Sequence, residues 1–188
     1  MLISIDTRKA AVARAAVEAG ADILNDVSGL EDPEMRFVAA DEGVPLVVMH
    51  SIDTPVVPGR GTHYDDVMED VIRELRERVL LAEQAGLDRR EIIVDPGLGF
   101  GKSAAENFEL LGRVDELHAL GCPVLVGHSH KSMYDGIGLG PGERKQATLA
   151  GTAVAVTRGA DIVRVHDVPE NVDAIAAVNA ALDPGSLG

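Results

Sequence analysis

Six short segments of this chain end on side chains that could bind or transfer charge, and the best defined is IIVDPGLGFGKS, residues 92–103. An apolar run, Ile92 to Val94, delivers one carboxylate, Asp95. Pro96 fixes its own φ and pushes Asp95 toward extended geometry, which holds the carboxylate in place. Ser103 and Glu106 form an S-x-x-E capping box that marks the start of a helix. A carboxylate at the C-terminal end of a strand is where α/β folds keep their sites. The turn is not a P-loop: that motif needs four residues between its first glycine and the Gly-Lys pair, and Gly97 to Gly101 leaves three. A tight turn whose glycines are only structural is the plainer alternative.

Other segments repeat the pattern. Asp6 ends one apolar run, Asn25 a second, and His50 a third. Ser129 with Lys131 follows VLV, and Arg164 with His166 stands in RVHD. An Arg and a His alternating on a strand point to one side and suit an anionic group, the Arg as a planar fork and the His as a second donor. Each has an ordinary alternative. Asp6 and Asp95 could cap the following helices. Asn25 could brace its own turn. Lys131 could be a solvated lysine, although the chain is poor in lysine. Arg164 and His166 could pair with surface acids. His63 and His118 read as surface residues. His128 and His130, two apart with no nearby Cys, make a weak case for a metal.

The elements that must position these residues alternate regularly. Apolar runs at residues 2–5, 23–24, 45–49, 92–94, 124–126 and 162–163 are separated by amphipathic stretches. Thr7 is placed to cap an Ala-rich helix closing at Gly20, and Asp32-Pro33 opens the next. Val67, Val71, Leu75 and Val79 make one helical face between about Asp65 and Ala85. Further helices are expected from Ser103, over Lys145–Arg158 and over Pro169–Leu182. Thr54 to Gly61 reads as a Pro/Gly-rich loop near the site, and a second Gly-rich loop spans Gly136 to Gly142. Six βα repeats in one domain, with no linker, imply a parallel sheet. In a barrel the polar strand ends share one face and converge on one pocket.

Composition narrows the function. With 31 acidic against 17 basic residues, the net charge is −14, which argues against a nucleic-acid face. No apolar run is long enough to span a membrane, and no signal-peptide pattern is present, so a cytoplasmic location is expected. The single Cys122 rules out an internal disulfide. An acidic, lysine-poor surface suits a cytoplasm of very high salt, where screening removes self-repulsion, and stability is expected to fall as salt is withdrawn.

Taken together, SIDTRKAAVARAAVEAGADILNDVSG, PLVVMH, IIVDPGLGFGK, VLVGHSHKS and RVHDV resemble the dihydropteroate synthases of the pterin-binding TIM-barrel family, in order and roughly in spacing. The resemblance implies a (β/α)8 barrel with about six βα units present over residues 1–188. It implies transfer of 6-hydroxymethyl-7,8-dihydropterin from its diphosphate to p-aminobenzoate in folate biosynthesis, giving 7,8-dihydropteroate and pyrophosphate. Asp6, Asn25, Asp95 and Lys131 would hydrogen-bond the pterin, and Met49, Phe100 and Gly127 would line its slot. Arg164 would lie over the ring and, with Asn25 and His166, hold the diphosphate. Ser129 would receive the p-aminobenzoate carboxylate. Lys131, Arg164 and His166 would carry the catalysis, with Mg²⁺ assisting the leaving group. By the same resemblance, the family's metal ligand would lie outside this sequence.

Two departures stand out. The family's S-R-K-S is here Ser129-His130-Lys131-Ser132. The sequence also begins at what would be the family's third strand. The barrel would then be completed by an N-terminal segment or another polypeptide, or its edges would pair in a homodimer, and Ile3 and Ile5 would be apolar surface needing a cover. Alternative readings are a non-catalytic pterin-binding subunit and a pterin-dependent methyltransferase.

Overall fold

Short β-branched and aliphatic runs form six strands: β1 (Ser4–Asp6), β2 (Ile23–Asp26), β3 (Leu46–Met49), β4 (Ile92–Asp95), β5 (Leu125–Val126) and β6 (Ile162–Val163). They alternate with α1 (Ala10–Glu18), α2 (Met35–Glu42), α3 (Val67–Gln84), α4 (Ala104–Gly112), α5 (Arg144–Thr157) and α6 (Val168–Leu182). This computed structural model describes residues 1–51 and 64–187. The loop expected at Thr54 to Gly61, and His63, lie outside the described residues.

All pairings are parallel, and the strands lie side by side in chain order. β1 to β4 form one ladder, β5 and β6 another, and a parallel bridge between Val94 and Val124 joins them. Parallel strands in sequential order, each followed by a helix, are the winding of a (β/α)8 barrel. Register sets the mouth: Asp6 lies opposite Asn25, and Met49 opposite Asp95.

Alternation along each strand divides the apolar residues between two faces. Leu24, Leu46, Val48, Ile92, Val94 and Val126 pack outward against the helices in the main core. Val47, Ile93 and Leu125, with Ile23, make a small cluster on the inner face. α3 shows how the outer layer is secured. Asp66 caps it, accepting from Met68 N at 2.9 Å and Glu69 N at 3.0 Å. Its Val67, Val71, Leu75 and Val79 stripe is buried as the spacing predicts. Each such side chain contributes roughly 1.5–3 kcal/mol, and Leu75→Ala would cost about 2–5 kcal/mol.

Among the described residues β1 and β6 each have one strand neighbour, so the arc is open between them. The inner face there is a cavity of about 520 Å³ lined by Ile23, Val47, Ile93, Leu125 and Val163, among others. Ile3 is exposed as expected, but Ile5 is half-buried against the main core.

Local expectations fail in two places. Thr7 does not cap α1: the helix starts at Ala10, whose N–H is accepted by Asp32 Oδ2 at 2.8 Å. Asp32 Oδ1 also accepts Glu34 N at 3.1 Å, so one carboxylate from the next βα unit serves the starts of two helices. β6 ends at Val163, so Arg164 and His166 sit beyond the strand, and strand alternation no longer fixes their directions. Among the described residues no helix is long and apolar enough to cross a membrane.

Candidate functional site

The mouth is organised where β3 and β4 end. His50 N donates to Asp95 O at 2.8 Å, bringing the two strand exits into contact. Gly97 has φ 67°, and a Cβ there would come within 1.9 Å of His50 O, so only glycine fits. Its N–H donates to Asp95 Oδ1 at 2.7 Å. The structural and functional readings of this glycine therefore coincide: the close approach fixes the carboxylate. Asp95 is 6% exposed, and burial raises its pKa, opposed first by the charge of Lys131.

Lys131 enters the same cavity from the loop after β5. Its Nζ donates to Leu98 O and lies 4.6 Å from the Phe100 ring centroid. Burial lowers its pKa against the opposing pull of Asp95. Gly99 leaves room for the lysine stem, since a Cβ there would stand 3.0 Å from Lys131 Cδ. A Cβ on Gly127 would lie 3.8 Å from Arg164 Cβ, 3.9 Å from Asp95 Oδ2 and 4.0 Å from Lys131 Nζ. Gly127 is thus the floor between the three charged side chains.

Beneath the turn is a residue that sequence reasoning missed. Lys102 Nζ donates to Gly97 O at 2.9 Å and Phe100 O at 3.3 Å, and burial pulls its pKa down to about 7. The scarcity of lysine that drew attention to Lys131 applies equally to Lys102. His50 is fully buried with Nε2 3.1 Å from Glu74 Oε2. Burial lowers its pKa, while contact with His50 lowers that of Glu74, which fits a neutral imidazole beside a carboxylate. Arg78 Nη1 and Nη2 donate to Met49 O (3.3 Å) and Ser51 O (3.4 Å), tying α3 to the exit of β3.

On the other wall Asn25 Nδ2 donates to Asp6 Oδ1 at 2.8 Å, and Arg164 Nη2 donates to Asp6 Oδ2 at 2.9 Å. Asn25 Oδ1 is buried with no partner among the described residues, an acceptor available to a ligand N–H. Neither Asp6 nor Asp95 caps a helix, since Asp32 and Ser103 perform that task.

Asp6, Asn25, Met49, Asp95, Phe100, Gly127, Lys131 and Arg164 line one cavity of about 300 Å³, together with Val27, which sequence reasoning did not single out. Ser129 and His166 do not line it. Ser129 is buried, and its Oγ lies 2.9 Å from His166 Nδ1, so the hydroxyl expected to receive a substrate carboxylate is paired with His166 in this structure. His130, at φ 55°, places Nε2 2.6 Å from Asp167 Oδ2, and Lys145 bonds Glu170 at 2.6 Å beside it. His128 is a core residue held by Tyr134 Oη (2.9 Å) and Thr152 Oγ1 (3.2 Å), its pKa pushed down to about 4 by burial. Among the described residues no group of three or more His, Cys, Asp or Glu is placed to hold a metal ion.

This geometry can read a flat ring with N–H donors at one edge. It offers a carboxylate and an amide oxygen as acceptors, a lysine as donor, and apolar walls from Met49 and Phe100. The pterin binding enzyme family model matches residues 1–166. A probable bifunctional folylpolyglutamate synthase/dihydropteroate synthase of Haloferax volcanii is 70% identical over 184 residues, covering 98% of this chain and 22% of that protein. Dihydropteroate synthase of Escherichia coli is 41% identical over 181 residues, covering 96% of this chain and 64% of that protein. Dihydropteroate synthase of Xanthomonas albilineans, solved in complex with 7,8-dihydropteroate, superposes with TM-score 0.88 at 43% identity, over 97% of this chain and 69% of that one. The chain thus spans less than two thirds of the length of these two curated relatives.

Proposed function

The chain belongs to the pterin-binding enzyme family, and from that premise we propose that its cavity seats the pterin diphosphate of a dihydropteroate synthase reaction. The observation that carries the reading is the convergence of Asp6, Asn25, Met49, Asp95, Phe100, Gly127, Lys131 and Arg164 on one 300 Å³ cavity. Asp95 accepts two N–H bonds from the guanidine-like edge of the pterin, where fork-to-carboxylate pairing is selective. Asn25 Oδ1 accepts a third, and Lys131 donates to a ring acceptor. Met49 and Phe100 cover the faces of the ring.

The reaction is displacement at the pterin methylene carbon. The amine nitrogen of p-aminobenzoate forms the new C–N bond, the C–O bond to the diphosphate breaks, pyrophosphate leaves with the electron pair, and the nitrogen loses a proton. No protein nucleophile is needed. Arg164 and His166 stabilise charge on the departing oxygens, and the cavity fixes the carbon toward the amine. Magnesium belongs to the reading because diphosphate oxygens are hard-cation ligands, and when bound it would neutralise charge on the leaving group. We place the protein in a high-salt cytoplasm, on its acidic, lysine-poor composition, and take the homodimer as its assembly, the common isologous case.

The test is pyrophosphate release by the purified chain in multi-molar KCl with Mg²⁺, with and without p-aminobenzoate. Release that needs both substrates is the expected result. Pterin binding without release, abolished by Asp95→Ala, would make the chain a pterin-binding module of a longer enzyme. Absence of both would overturn the reading.

A further inference from the structure

The loops that follow β5 and β6 are joined residue for residue, Ser129 to His166 and His130 to Asp167. Ser129 Oγ lies 3.2 Å from the His166 backbone N and 2.9 Å from its ring Nδ1, and the serine is 5% exposed. The backbone N–H can only donate, so it occupies one lone pair of Oγ. The hydroxyl proton then needs an acceptor, and among the described residues His166 Nδ1 is the one placed to take it. A buried hydroxyl left without an acceptor is costly, which selects this arrangement over its reverse. The second rung stiffens the first: the His130 ring, held by Asp167, packs edge-on to the His166 ring at 5.4 Å between centroids.

From this geometry we propose that Ser129 is a positioning residue that donates Oγ–H to His166 Nδ1 and so holds the proton of the neutral ring on Nε2. When the ring is protonated the hydroxyl can turn and accept from Nδ1–H instead, since it is both donor and acceptor. Nε2 carries a hydrogen in both states. It therefore always offers an N–H to an anion, and never a bare lone pair that would repel a phosphate oxygen. The assignment of that anion as the substrate's diphosphate rests on the function proposed above; the tautomer does not.

The first experiment is nitrogen-15 NMR of the histidine rings in the 188-residue chain, with His166 assigned through His166→Gln. The Nε2–H tautomer is expected in the parent chain and in Ser129→Thr, with a shift toward mixed tautomers in Ser129→Ala. An Nδ1–H tautomer in the parent chain, or no change in Ser129→Ala, would overturn the proposal, and the parent measurement stands even where Ser129→Ala fails to fold. Calorimetric binding of inorganic pyrophosphate and of 6-hydroxymethylpterin then separates positioning from general support. Ser129→Ala should weaken pyrophosphate about tenfold and leave the pterin alcohol unchanged. Equal loss of both would reduce Ser129 to a structural residue. Absence of pterin-alcohol binding by the parent chain would count against the proposed function while leaving the tautomer result intact.

Discussion

Asp95 and Arg164 border the same cavity under opposite constraints. Asp95 is buried, fixed by the Gly97 N–H, and backed by Lys102, which holds two carbonyls of its turn. Arg164 has a side chain that is 56% exposed and is tied by one ion pair to Asp6, itself 46% exposed. Exposed pairs of that kind contribute about 0.2–1 kcal/mol. The deep wall is set before any ligand arrives, whereas the outer wall can shift with little loss of stability. That division suits a ligand with a rigid ring at one end and a flexible, departing anion at the other.

The contrast can be broken most severely at Gly97. Gly97→Ala drives a Cβ into His50 O from a positive φ and should cost more than about 3 kcal/mol, read as a fall in the urea midpoint and loss of pterin binding. Asp95→Asn should weaken 6-hydroxymethylpterin by roughly tenfold to a hundredfold, because charge-assisted bonds are lost while Asn Oδ1 can still accept from Gly97 N–H. Its stability should move the other way. Burial raises the folded pKa of Asp95, so the folded state binds the proton more tightly, and stability falls as pH rises through that range. The Asn variant escapes this loss and should be at least as stable at pH 7.

Lys102→Met tests the support beneath the turn. The folded pKa near 7 lies below the ordinary 10.5, so the unfolded chain binds more protons between those values and stability rises with pH there. Urea midpoints at pH 7 and 8.5 should climb in the parent chain, and the Met variant should flatten the climb. The smallest stability effect belongs to Arg164→Ala, below about 1 kcal/mol by thermal melt. It should nevertheless lose pyrophosphate affinity, and a large drop in stability would show that the outer wall is as constrained as the inner one.

What the sequence disclosed follows the range of the forces involved. The Ser103–Glu106 box and the α3 stripe depend on neighbours three or four positions apart, and both form as expected. The mouth residues were legible because strand polarity in a barrel carries every C-terminal end to one face, whatever the contacts there. Thr7 was misread because its competitor, Asp32, comes from the next βα unit, beyond any local pattern. The Ser129–His166 contact had no signature in the sequence, because the two residues are 37 positions apart on different βα units. Lys102 was overlooked although its scarcity argued for it; its burial beneath the turn had no local signature.

The Asp6–Arg164 contact closes a loop of 158 residues. Joining chain ends that far apart costs about 4–5 kcal/mol in entropy by the logarithmic rule, several times what an exposed pair returns. The pair therefore cannot be what bends the sheet. The bend accumulates from strand to strand across five neighbouring pairings, each rotated by roughly 20–25° relative to the last. The ion pair behaves as a gauge rather than a clasp, registering a gap width fixed elsewhere. Cutting it should leave the two rims where they stand.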